Sequence, residues 1–201
     1  MNRTHFGAGL GLVAMLALAA GPAPADEGMW TYDNFPSAQA QRALGVKVDR
    51  AWLDRVQGAS VRLTNGCSAS LVSKDGLVLT NHHCVIECVQ DLSSGWKDFV
   101  KDGSTSATRA EERKCPGVQA EVLAAITDVT KDVQAGAARK TGQAFVRARD
   151  GAIPAAESSG CGQDDKFRCQ VVTLYRGGQF KLYKYRKYSD VRLVFAPEFA
   201  T

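Results

Sequence analysis

Apolar residues fall at every second position over much of residues 59–79. Val61 and Leu63 share one face of a short run, Thr64-Asn65-Gly66 interrupts it, and Cys67, Ala69 and Leu71 resume the alternation before Lys74-Asp75-Gly76. Leu77, Val78 and Leu79 follow, so the stretch predicts antiparallel strands joined by tight turns, the last of them a buried strand that ends beside His82, His83 and Cys84. The alternation returns late in the chain. Residues 170–175 read as a strand, Arg176-Gly177-Gly178-Gln179 as a turn, and 180–188 and 191–195 as two further strands.

Helical patterning is confined to short pieces. Pro36 opens a helix over 37–44 that Gly45 stops. Asp49 is placed to cap a second, with Trp52, Leu53 and Val56 on one face and Gly58 closing it. Residues 85–92 predict one or two helical turns, and the polar stretch 93–106 predicts a loop anchored by Trp96, Phe99 and Val100. After the charged run 109–114, Cys115-Pro116-Gly117 marks a boundary and 118–126 reads as a strand. Alanine, lysine and arginine then dominate 128–150, which predicts a helical excursion broken near Gly136, and 151–167 reads as a loop. Strands linked by glycine-rich turns, with only local helices, predict a mainly β fold built as an antiparallel barrel.

Composition narrows the class without changing the fold. The 201 residues are 45% apolar and 23% charged, the balance of one soluble domain, and a formal charge of +4 is too small to argue for nucleic acid. Arg3, the apolar run 10–20 and Ala23-Pro24-Ala25 predict a signal peptide over 1–25, an apolar run too short to span a membrane, with the mature domain occupying 26–201. All 6 cysteines lie beyond that segment, which fits an exported chain, periplasmic or secreted, that uses disulfides. Six cysteines permit about 15 pairings.

A lone histidine is ordinarily a surface or core residue, but His83 has an unusual setting: a cysteine, a strand, a turn, a strand, and then a second cysteine directly after the ring. That arrangement, with Thr80-Asn81-His82-His83-Cys84, resembles the surroundings of the catalytic histidine in chymotrypsin-like serine peptidases. The fuller string from Ser73-Lys74-Asp75-Gly76-Leu77 through Leu79 to Cys84 resembles one branch of them, the dipeptidyl-peptidase 7 and 11 family, serine peptidase family 46. Glu27-Gly28-Met29-Trp30 and Asp190-Val191-Arg192-Leu193-Val194-Phe195-Ala196-Pro197 extend the resemblance over nearly the whole mature chain. It implies a chymotrypsin-like barrel, His83 as general base, a Cys67–Cys84 disulfide, and release of dipeptides from the free amino end of peptides. It also implies no cofactor or metal, and homodimers among full-length relatives. His82 is assigned to structure, and His5 lies in the signal segment. Proximity pairs Cys161 with Cys169, which leaves Cys88 with Cys115.

A serine peptidase also needs a nucleophile, a carboxylate that orients the imidazole, and backbone donors for the oxyanion. No Gly-x-Ser-Gly string occurs; Ser159-Gly160 lacks the leading glycine. Asp128 follows His83 at a suitable distance, yet it also reads as a charge at a helix start. In the resembled family the aspartate comes soon after the strand matching Val194-Phe195-Ala196-Pro197, and the serine later, beyond a helical domain. The expectation is therefore an amino-terminal part that stops at Thr201 before both residues and is inactive alone. Two other readings differ in class. His82, His83, Cys84, Cys88 and Cys115 are zinc-ligand types, though their spacing matches no usual framework. Tyr175, Phe180, Tyr183 and Tyr185 interleave with Lys181, Lys184, Arg186 and Lys187, a pattern suited to a binding module, but its ordinary reading is an exposed edge strand with gatekeeper lysines. Peptides with a free amino terminus are the expected partners; nucleic acid, and a membrane once the signal is removed, are not.

Overall fold

The structure, a computed structural model, describes residues 30–199, so the expected signal peptide and its cleavage site lie outside the described residues. The chain divides into two units, Met1–Pro36 and Ser37–Thr201. In the first, the described part holds one 3-10 turn, Tyr32–Asn34, closed by the Asn34 N–H on the Thr31 carbonyl at 2.9 Å.

The second unit opens with helices α1 (Ser37–Leu44) and α2 (Arg50–Ala59). As its composition requires, α2 is capped by Asp49, whose carboxylate accepts from the Trp52 N–H at 2.8 Å, and Leu53 is its buried residue. Strands β1 (Ser60–Leu63), β2 (Ser68–Leu71) and β3 (Val78–Thr80) follow, with Gly66 at φ 92° and Gly76 at φ 89° in the two turns, a backbone that glycine adopts without a Cβ penalty. A 3-10 turn, His82–Val85, leads into α3 (Ile86–Leu92), α4 (Phe99–Asp102), β4 (Ser104–Thr105) and β5 (Arg113–Lys114). Then come β6 (Ala120–Asp128), α5 (Thr130–Ala135), α6 (Gly142–Cys161), β7 (Phe167–Leu174), β8 (Gln179–Tyr188), β9 (Arg192–Leu193) and β10 (Phe195–Ala196).

Six strands make one antiparallel sheet in the order β3-β2-β1-β6-β8-β7; β10 pairs with β4 and β9 with β5 in two small ribbons. The fold is thus mainly β and antiparallel, as the alternation indicates. Among the described residues the apolar interior comes in three clusters. Val61, Leu63 and Ala120 form one under the hairpin. Cys88, Val89, Phe99, Cys115, Leu193 and Ala196 form the second beneath α3 and α4. Val129, Val133, Val171, Phe180 and Leu182 form the third beneath α5 and α6.

Several elements depart from the sequence pattern for physical reasons. β6 runs on to Asp128, and the helical excursion begins only at Thr130. The helix beginning at Gly142 passes through Gly151 and Pro154 to Cys161, where the sequence predicts a loop. Tertiary contacts override two helix breakers: Ile153 and Ala156 pack on the third cluster, the Glu157 carboxylate accepts the Val171 N–H at 2.7 Å, and Gly162 at φ 61° returns its N–H to the Ser158 carbonyl. The stretch 93–106 contains α4 and β4; Phe99 anchors it, but Trp96 is 97% exposed and anchors nothing. β3 is not a buried strand, since Leu79 is 66% exposed at the sheet edge. Residues 191–195 split into β9 and β10, which pair with different partners. Finally, β8 is an interior strand between β6 and β7, and Lys181 on it is buried, so its lysines are not guards of an edge.

Candidate active site

The hairpin places the two histidines. β3 ends at Thr80, paired with Ala69, and the chain turns at once into the 3-10 turn His82–Val85, closed by the Cys84 N–H on the Asn81 carbonyl at 3.0 Å. Cys84 is buried and bonded to Cys67, which lies just before β2 and leans on the cluster under the hairpin. Asn65, read from sequence only as a turn residue, donates from Nδ2 to the Cys84 carbonyl at 2.7 Å and ties the turn to the β1–β2 connection as well. One covalent bond and one hydrogen bond therefore hold the backbone on which His83 sits.

His83 itself is exposed, with a ring nitrogen within 4.8 Å of the Cys67 and Cys84 sulfurs. Among the described residues no carboxylate pairs with its imidazole. His82 points elsewhere. Its ring stacks on Phe199 with centroids 3.7 Å apart, and Nε2 lies 3.2 Å from the Pro197 carbonyl oxygen, which fits a structural role. Sulfur pairing is Cys67–Cys84, Cys88–Cys115 and Cys161–Cys169, so the cysteines of the zinc reading are engaged in disulfides and offer no thiolate.

Neither partner sought for His83 is near it. The register runs Thr80 to Ala69, Ala69 to Val61, and Leu63 to Ala120, so the histidine turn lies toward the Ala120 end of β6, while Asp128 is its last residue. At 9 residues and about 3.3 Å per residue, those ends are roughly 25 Å apart. Asp128 serves its own end of the sheet, its Oδ1 accepting from the Thr130 N–H at 2.9 Å and its Oδ2 from Gln179 Nε2 at 2.8 Å. Hydrogen bonds from the Thr130 side chain and backbone, then Gln179, pull its carboxyl down from 3.8 to about 2. Ser159 is exposed in the body of α6, with none of the sharp turn that presents a nucleophile, and faces a cleft of about 480 Å³ lined by Thr127, Asp132, Leu182 and Lys184 among others.

The basic and aromatic residues of β7 and β8 are largely engaged with one another. Glu121 is buried and accepts two hydrogen bonds from Arg168, Nε at 2.6 Å and an Nη at 2.8 Å, with Arg62 at 3.9 Å. Arg168 also lies 4.6 Å above the Tyr185 ring, whose phenol burial raises above its ordinary range. Lys184 donates to the Gly160 carbonyl at 3.2 Å and sits over Phe167. Sequence reasoning passes over Glu121, whose one signal is a lone carboxylate inside the apolar run 118–126.

Comparison with known proteins gives a consistent result. A family model described as Peptidase S46 matches residues 25–201. The Asp/Glu-specific dipeptidyl-peptidase of Porphyromonas endodontalis is 33% identical over 184 residues, covering 86% of this chain and 26% of that protein. Dipeptidyl-peptidase 7 of Porphyromonas gingivalis is 32% identical over 192 residues, covering 92% of this chain and 27% of that protein. The crystal structure of Porphyromonas endodontalis DPP11 in complex with substrate superposes with a TM-score of 0.71 at 30% identity, over 86% of this chain and 27% of that one. A second DPP11 structure, in complex with the dipeptide Arg-Glu, gives 0.67 at 28% identity. The chain thus spans about a quarter of the length of these relatives.

Proposed function

The chain belongs to the peptidase S46 family, and from that premise we propose that it contributes the general base, His83, to a serine-type dipeptidyl-peptidase that removes dipeptides from the free amino end of peptides. The observation that supports this best is the setting of the imidazole: exposed to an incoming group, on a turn held by the Cys67–Cys84 disulfide and by Asn65. A general base must reach the proton it abstracts in a fixed geometry, and a doubly tied turn at a strand end supplies that. In this reading the six-stranded sheet is one lobe of a chymotrypsin-like barrel. Asp128 and Ser159 lie at the wrong end of the sheet, so in this reading neither is the carboxylate or the nucleophile that works with His83. Three disulfides and a candidate signal peptide support an exported protein. Among the described residues no helix is long and apolar enough to cross a membrane.

Hydrolysis of dipeptidyl-coumarin substrates tests the reading in two arms. The chain alone is expected to release no dye, because a base without a nucleophile has nothing to activate. Placed in the Porphyromonas endodontalis Asp/Glu-specific enzyme in exchange for the matching quarter, it is expected to support turnover, and His83→Ala in that chimera to lower kcat by about 10⁴-fold or more. Turnover by the isolated chain that vanishes in His83→Ala would refute the half-site reading. A chimera indifferent to His83→Ala would refute the choice of base.

A further inference from the structure

The turn that carries His83 is tied to the sheet on one side only by the disulfide and Asn65. On its other side lies His82, exposed yet engaged at two points on a segment 115 residues away: its ring stacks on Phe199 at 3.7 Å and 21°, and its Nε2 faces the Pro197 carbonyl at 3.2 Å. A carbonyl oxygen has no proton to give, so Nε2 carries the hydrogen and donates. The segment reached is itself anchored. Phe195 and Ala196 pair with β4, the Phe199 N–H donates to the Val100 carbonyl at 2.8 Å, and the Phe199 ring packs on the cluster built around Val89 and Phe99.

We propose that His82 is a positioning residue for His83: its ring clamps the histidine turn onto residues 197–199, so that the base is held between the hairpin on one side and the strand that ends at Ala196 on the other. The proposal rests on the reading of His83 as general base. Its mechanical content stands apart from hydrolysis. The two adjacent rings then have separate tasks, one free to meet a reacting group and one spent on holding the backbone they share. With the clamp released, the turn keeps its ties through Cys84, Asn65 and the packing of Val85, but its histidine end loses its own anchor and the His83 ring gains freedom that a base in a fixed geometry cannot use.

The test uses three variants of the chain and two measurements that do not involve turnover. His82→Ala removes ring and donor, His82→Phe keeps the stack alone, and His82→Gln keeps a side-chain N–H. Hydrogen exchange at the Phe199 amide reports the clamp, and the ¹⁵N and ¹H imidazole signals of His83 report its tautomer balance and mobility. The Phe199 amide is expected to exchange at least tenfold faster in His82→Ala, with the His83 signals shifted and sharpened, while amides of β6 and β8 keep their protection. His82→Gln is expected to recover part of both effects, and His82→Phe the exchange more than the imidazole signals. Wild-type values in all three variants would overturn the proposal, as would faster Phe199 exchange with the His83 signals unchanged. Should His82→Ala fail to fold, the Phe and Gln variants decide the matter by the same criteria. A positive result alongside a chimera indifferent to His83→Ala would leave the clamp standing and remove only the role assigned to His83.

Discussion

At the scale of single residues, charge placement separates what the sequence shows from what only the fold shows. The tied setting of His83 is legible because cysteines flank its hairpin and pair. Asn65 is not, since its hydrogen bond to the Cys84 carbonyl joins two places 19 residues apart and leaves no mark on local composition. Asp128 is a case where two readings compete and the register decides: its carboxylate serves Thr130 and Gln179 at the end of the sheet away from the histidine. That gives a pH signature. The folded-state value of about 2 lies below the ordinary 3.8, so the stabilisation is fully present above the higher figure and lost as pH falls through the lower. The group is exposed, so solvent screening keeps the effect small. Urea denaturation of wild type and Asp128→Asn is expected to show an advantage for wild type at about pH 5 that shrinks toward pH 2; a gap that is constant or grows on acidification would contradict the assigned hydrogen bonds.

At the scale of elements, strands are easier to read here than helices. The alternation of Val61 and Leu63, and the break at Gly66, need no tertiary context, because a strand with one buried face writes its period directly into the sequence. The helix from Gly142 to Cys161 is illegible for the opposite reason: Gly151 and Pro154 are local signals to stop, and what keeps it helical lies across the chain, in Val129, Val171, Phe180 and Leu182. Its two late glycines should therefore answer differently to the same change. Gly151 has open space where a Cβ would go, so Gly151→Ala is expected to stabilise by about 0.5–1 kcal/mol by lowering the entropy of the unfolded chain. A Cβ on Gly160 would overlap the side chain of Leu182, which would have to give up part of its packing in the third cluster to make room, so Gly160→Ala is expected to destabilise by about 1–3 kcal/mol. Midpoints of urea unfolding decide it, and equal shifts in one direction would mean that the helix does not pack on β8 as described.

At the scale of the whole chain, the three buried clusters and the three disulfides coincide. Cys67 leans on the cluster under the hairpin, Cys88 and Cys115 are buried within the second, and Cys169 packs against the third, so each small core carries its own covalent tie. Among the described residues only Phe180, Val89 and Val133 are large side chains that are fully buried, which is a modest interior for a domain of this size. Cysteine arithmetic alone leaves the pairing open, and the fold resolves it into three bridges that span 17, 27 and 8 residues. A disulfide of that kind typically contributes about 2–4 kcal/mol, against a total stability of about 5–15 kcal/mol for a small domain. Losing all three should remove most or all of the margin. Thermal melting followed by near-ultraviolet circular dichroism is expected to show a cooperative transition in the oxidised chain that is abolished by a phosphine reductant, while far-ultraviolet signal persists in part. A reduced chain that melts at the oxidised temperature would show that the clusters cohere without their bridges, and would remove the physical reason for linking this fold to an oxidising compartment.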